Sequence, residues 1–294
     1  MEKPTYLIKK DAFILETLQL IFKTEVLFLS KMKDPILRDN DIENLHIFRV
    51  VLRRLRGVMR LFRKYCQKDK YSKSIVLLKE LFGKTSELRD YDIFLENISR
   101  YKQEFPELGK HLSGMERGIR TRRRSCFKKF SNFLRDGSFE NNITQILELF
   151  NEDLFRDKKE TTSDALIKVM KNTFKKTLNV LENTKWDDTL LHELRIKIKR
   201  IRYLFDIFHP LFCKKWYNKY VGCLKNIQDI LGKNQDLSFQ LNFITNYAAK
   251  FPEDFENVKK FIVNQKVENM LEFSSGCEKL KKILSVNRVG RLLQ

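Results

Sequence analysis

Glycine and proline are scarce in this chain, ten and five among 294 residues, each less than half of the ordinary share of roughly 7% and 5%. Folds that need many tight turns, the β-sandwich and the Rossmann-like α/β sheet, call for more of both. Cysteine is sparse and unpatterned: Cys66, Cys126, Cys213, Cys223 and Cys277 are odd in number and never spaced Cys-x-x-Cys. That suits reduced thiols in a cytoplasmic protein better than a disulfide framework or a zinc site. His46, His111, His192 and His209 form no His-x-x-His or His-Glu-x-x-His pattern, so no metal is expected. Long apolar runs are missing as well. The longest uncharged stretch, residues 237–249, has 13 residues and contains Ser, Gln, Asn and Thr, whereas a membrane span needs about 20 mostly apolar ones. The opening Met1-Glu2-Lys3-Pro4 lacks the apolar core of a secretory signal. No membrane insertion is expected.

Acid is also in deficit. Against 58 Lys+Arg stand 38 Asp+Glu, a net charge of +20, while 42% of residues are hydrophobic and 24 are Phe. The chain therefore has material for a packed core and a charge that implies a polyanionic partner. A merely solvated lysine-rich surface would scatter the excess. Here 15 of the 21 arginines lie in residues 1–147, many in two dense clusters.

The sequence repeats itself. Leu45-His46-Ile47-Phe48-Arg49 through Arg56 returns as Leu191-His192-Glu193-Leu194-Arg195 through Arg202, an offset of 146 residues. At the same offset Lys79 meets Lys225, Asp90 meets Asp236, Tyr101 meets Tyr247, and Phe105-Pro106-Glu107 meets Phe251-Pro252-Glu253. Such self-similarity marks a doubled structural unit. The expected architecture is all-α: a first helical repeat over 1–140, a connector with a short helix (142–155) over 141–160, and a second repeat over 161–294. Within each, helices are expected at 5–31 and 163–184, at 44–66 and 188–208, and at 72–88 and 213–231. Two more follow at 91–104 and 236–249 and at 107–135 and 253–284. Gly232 is expected to end a helix, Asp90 and Asp236 to cap the next, and Pro106 and Pro252 to open first turns.

The histidine helix carries the chemistry. At about 100° per residue, His46, Arg53, Arg56 and Arg60 fall within roughly 60° of Arg49, with Arg63 close by. Val50, Val51, Leu52, Leu55, Val58, Met59, Leu61 and Phe62 cover the remaining girth. In the second copy His192, Arg195, Lys199 and Arg202 form the row, until Asp206 closes it. Like charges at i,i+4 repel, so a one-signed row costs stability unless an anion offsets it, and arginine's planar fork matches phosphate oxygens. A third row, Arg117, Arg120 and Arg124 with Lys128, is spaced i, i+3, i+7, i+11. Neither histidine has a nearby nucleophile or base on its helix, so both are expected to donate to phosphate or anchor the row.

The doubled His-x-x-Arg-x-x-x-basic-basic-x-Arg, each copy followed 44 residues after the histidine by an aspartate, resembles the CHAD family (conserved histidine α-helical domain). Residues 227–236 (IQDILGKNQD) look like its second-half signature, and Leu88-Arg89-Asp90-Tyr91-Asp92 like the first-half counterpart. Ser86 and Gln235 depart from the family's usual Gly and Asn. The resemblance implies two pseudo-symmetric helical bundles with a basic channel between them that binds inorganic polyphosphate. It assigns the contacts to Arg49, Arg53, Arg54 and Arg56 with Arg195, Lys199, Arg200 and Arg202, flanked by His46 and His192. It also implies a non-catalytic protein associated with polyphosphate granules. A phosphoryl-transfer enzyme would want a metal-binding carboxylate pair or a Gly-rich phosphate loop, and the sequence offers neither. A sequence-nonspecific nucleic-acid-binding protein shares the electrostatics and stays open, although the rows hold no interleaved aromatic for stacking bases.

Overall fold

A computed structural model describes residues 4–38, 41–151, 154–155, 159–183, 185–248, 255–284 and 286–293. Regular structure among them is helical, with isolated β-bridges such as Cys66–Phe155 and Phe212–Leu293 and no strand. The chain divides into two compact units, Met1–Tyr6 with Ala12–Glu160, and Leu7–Asp11 with Thr161–Gln294.

The first unit holds α1 (Ile14–Lys31), α2 (Lys33–Leu37), α3 (Ile42–Leu61), α4 (Lys68–Lys84), α5 (Ser86–Glu104), α6 (Gly109–Arg135) and α7 (Ser138–Asn151). Asp41 starts α3 by accepting the Glu43 backbone N–H, the N-cap role that a short carboxylate performs. The apolar majority of α3 places Phe48, Val51, Leu52, Leu55, Val58 and Met59 in the core. Phe48 meets Phe139 of α7 at 6.2 Å, and Phe22 of α1 meets Phe150 at 5.4 Å. The sharp turn from α6 into α7 is made at Gly137, whose φ of 85° a side chain would strain. Residues 138–151 are thus a helix of the first unit's core, longer at its start than the connector helix expected over 142–155.

The second unit holds α8 (Thr162–Leu181), α9 (Asp188–Ile207), α10 (Lys214–Ala248) and α11 (Glu256–Ile283). Asp187 caps α9 through the Leu190 N–H at 2.7 Å. Phe205 of α9 stacks on Tyr220 of α10 at 5.4 Å and on Phe212 at 4.5 Å. The helices α10 and α11 approach so closely that a Cβ at Gly276 would run into Ile227 Cδ1. Corresponding ties close both units: Gln67 N–H bonds Leu154 O at 2.7 Å, and Cys213 N–H, 146 residues on, bonds Leu292 O at 3.0 Å.

Three expectations need correction. Gly232 and Asp236 do not separate two helices, because α10 runs through both without a break. Ile227, Ile230, Leu231, Leu237 and Ile244 keep one face buried along it, and that burial outweighs the cost of about 1 kcal/mol for an interior glycine. In the first unit the break falls at Thr85, so Asp90 lies inside α5 rather than at its cap. Residues 5–13 are not a helical extension of α1, which starts at Ile14 with its N–H bonded to Glu160 O. Pro252 lies outside the described residues.

One polar cluster sits in the first unit's core. Arg54 is 4% exposed and pairs with Glu25 at 2.5 Å, while Tyr6 donates its hydroxyl hydrogen bond to the same carboxylate. Burial pushes the Glu25 carboxyl above its ordinary range, against the pull of Arg54. Removing one member of such a pair leaves an uncompensated buried charge. Arg54→Leu alone should cost about 3–5 kcal/mol, and Arg54→Leu with Glu25→Met should recover most of it. Denaturant midpoints of the two variants check this.

Candidate polyanion-binding site

The first-unit row stands on α3, whose apolar positions are buried against its neighbours, so its cations project from one narrow strip. Arg53 and Arg56 are half-buried and Arg60 is exposed. None of the three has an acidic partner among the described residues, and the Nε atoms of Arg53 and Arg56 are buried without a hydrogen bond. Burial, then the charge of Arg60, lowers the Arg56 pKa from its ordinary value. His46 stands half-buried at the head of the strip.

Arg49 is placed differently from its neighbours in the row. It is 8% exposed, its guanidinium lies over the Phe82 ring at 4.2 Å, and its Nη1 donates to Thr85 Oγ1 at 2.7 Å and Phe82 O at 3.3 Å. It braces α3 against the break between α4 and α5. Burial, followed by repulsion from Arg53, lowers its pKa to about 10. Arg56 reaches the same ring at 5.2 Å. Phe82 stands on α4, opposite the row, where the spacing of residues along α3 does not reveal it. Asp90 faces Arg49, and burial raises its carboxyl pKa although that arginine pulls it down.

Arg54 does not join the row. It lies about 140° around the helix from Arg49, and its charge is spent on Glu25 in the core. Arg200 holds the equivalent position on α9, half-buried and off the second row. In that second row His192 is exposed and Arg195 and Lys199 are half-buried. Arg195 donates to Gln235, and Arg202 faces Asp206 at 3.6 Å across one helical turn.

The third row, on α6, is exposed at Arg117, Arg120 and Arg124, but Arg120 is already compensated. Its Nε and Nη2 grip Glu116 at 2.8 and 2.5 Å, and Lys102 reaches the same carboxylate at 2.5 Å. Those bonds hold the Glu116 pKa below its ordinary value, so the acid stays ionised at neutral pH. Arg123, which lies off the row, is bound to buried Asp92 at 2.6 Å. No group of three or more potential metal ligands occurs among the described residues, and no described helix is long and apolar enough to cross a membrane.

Helices in this order have known counterparts. The CHAD domain profile matches residues 28–245, and the chain belongs to that family. Its fold is similar to the crystal structure of the CHAD domain from the plant Ricinus communis, with a TM-score of 0.70, 20% identity and 94% of each chain covered. It is also similar to PptA from Streptomyces chartreusis, with a TM-score of 0.67, 13% identity, and 92% of this chain and 99% of that one covered. No curated protein matches the sequence.

The Glu116 clamp gives the third row a direct test. Glu116→Gln releases Arg120 and Lys102, so polyanion affinity should rise and its dependence on log[salt] should steepen by about one to one and a half, at roughly 0.7 per freed cation. An unchanged slope in a salt titration would place the α6 row outside the site.

Proposed function

We propose that this protein binds inorganic polyphosphate without transforming it, through the cationic rows of α3 and α9. The observation that carries the reading is the uncompensated strip Arg53, Arg56 and Arg60. Two of its guanidinium Nε atoms are withdrawn from water with no acceptor. Leaving charged donors in that state costs about 1–3 kcal/mol each or more, and phosphate oxygens would supply the missing acceptors. Membership of the CHAD family and the polyphosphate that the sequence resemblance implies point the same way. A row of guanidiniums screens and positions a polyanion but contributes neither nucleophile nor base, so binding alone is the activity proposed. On the same reading the protein is cytoplasmic and partitions with polyphosphate granules.

Nucleic acid is the competing ligand. A single strand would want an open aromatic face on which to stack its bases. The ring nearest the row, Phe82, has its face taken by Arg49, which favours a ligand made of phosphate alone.

The experiment is a salt titration of polyphosphate binding to wild type and to Arg53→Gln/Arg56→Gln/Arg60→Gln. The triple variant should lose about two from the slope of log K against log[salt], at roughly 0.7 per contact. Its thermal stability without ligand should hold or rise as the like-charge repulsion is relieved. A variant with the wild-type slope would remove α3 from the binding surface.

A further inference from the structure

The two units diverge opposite the histidine of each basic helix. In the second unit a cavity of about 380 Å³ opens there, walled by His192 and Arg195 of α9 and by Asn234, Gln235 and Ser238 of α10. Asp188 also lines it, held by Lys266 at 3.3 Å and by the Ser238 hydroxyl at 3.3 Å.

Asn234 is the unusual member. It is 3% exposed, its Oδ1 is buried, and its carboxamide makes no hydrogen bond among the described residues. The position does not require an amide. In the first unit, 146 residues earlier, Leu88 stands there, 2% exposed and wholly apolar. Burying an unpaired amide costs about 1–3 kcal/mol, so Asn234 is a polar group held ready at the expense of stability.

The arginines diverge in the same place. Arg49 is engaged by Thr85, Phe82 and Ser86, whereas the residues at those positions in the second unit are Leu231, Gln228 and Gly232. Gly232 carries no side chain to block the guanidinium, and Arg195 Nη2 lies 3.9 Å from where its Cβ would stand. Arg195 instead lies along the cavity wall, where it donates to Gln235.

An asparagine offers both kinds of partner, an NH2 that donates and a carbonyl oxygen that accepts. A fully ionised phosphate uses only the donor. Phosphates inside a polyphosphate chain carry no hydroxyl, but each terminal phosphate has a second ionisable oxygen whose pKa is about 6 in phosphomonoesters. It therefore carries a P–OH part of the time near neutrality. Resting on the polyphosphate reading, we propose that the cavity is an end-group site. The terminal phosphate turns its charged oxygens to His192 and Arg195, donates its P–OH to Asn234 Oδ1, and accepts from Asn234 Nδ2. Orthophosphate and the terminal phosphate of a nucleotide share this chemistry.

The test compares linear tripolyphosphate with cyclic trimetaphosphate, which has the same three phosphorus atoms and no terminus. Because the ring also carries less charge, the comparison is made between wild type and the charge-neutral variants Asn234→Leu and Asn234→Ala. Each variant should lose roughly tenfold in affinity for the linear compound, the effect of one charge-assisted hydrogen bond, and none for the ring. Asn234→Leu should melt no lower than wild type, as Leu88 implies. Equal losses for both compounds, or a loss for neither, would overturn the end-group site. Orthophosphate and ADP are titrated alongside, and either binding as tightly as tripolyphosphate would also overturn it. Long polyphosphate capped at both ends as amides should bind wild type and Asn234→Leu alike. Failure of long polyphosphate to bind at all would instead overturn the polyphosphate reading, while the tripolyphosphate comparison still reports on the cavity.

Discussion

The fold turns on a constraint in α3 and α9. Each is apolar around more than half of its circumference, so each must be enclosed by other helices of its unit, and only a narrow strip is left for charge. Filling that strip on α3 with cations of one sign and no acid produces a helix that is well packed and electrostatically uncompensated. The neighbours answer part of the demand: Phe82 offers its π-face to Arg49 and Arg56, and Thr85 accepts from Arg49. None of these carries negative charge. On the proposed reading the remainder falls to the bound phosphate chain.

The two units meet the same demand by different means. In the first, the hydroxyl and carbonyl groups at the break between α4 and α5 bind the leading arginine and make it a brace. In the second, α10 continues through Gly232, the hydroxyls are replaced by Leu231 and Gly232, and the arginine borders a cavity containing an unpaired amide. The row on α9 is also more nearly neutral, since Arg202 faces Asp206, while Arg53, Arg56 and Arg60 face no acid among the described residues. The first unit therefore supplies the stronger field, and the second the more shaped recess.

Much of this was legible in the sequence because it is local. A doubled motif at constant offset marks the two segments that form α3 and α9, and positions three and four apart define the rows before any packing is known. What escaped is long-range. Arg54 belongs with Glu25, 29 residues away and on another helix; its spacing sets it about 140° from Arg49, and only the family resemblance put it among the contacts. Arg123 is claimed by Asp92 across α5 and α6. Glu116 was in view one turn before Arg120, but its grip depends on Lys102 from α5 as well. The continuity of α10 went unread because Gly232 is a good local stop signal, and only the burial of a whole helix face overrides it.

The central claim is that the rows are built for a chain of phosphates and not for polyanions in general. The most direct measurement is competition at fixed ionic strength, with long-chain polyphosphate and DNA, single-stranded and duplex, titrated against the same labelled polyphosphate at equal phosphate concentration. The account predicts that unlabelled polyphosphate displaces the probe at concentrations at least tenfold below those of either DNA, a difference of about 1.4 kcal/mol. Equal displacement by all three would contradict it and reduce the rows to a generic basic surface.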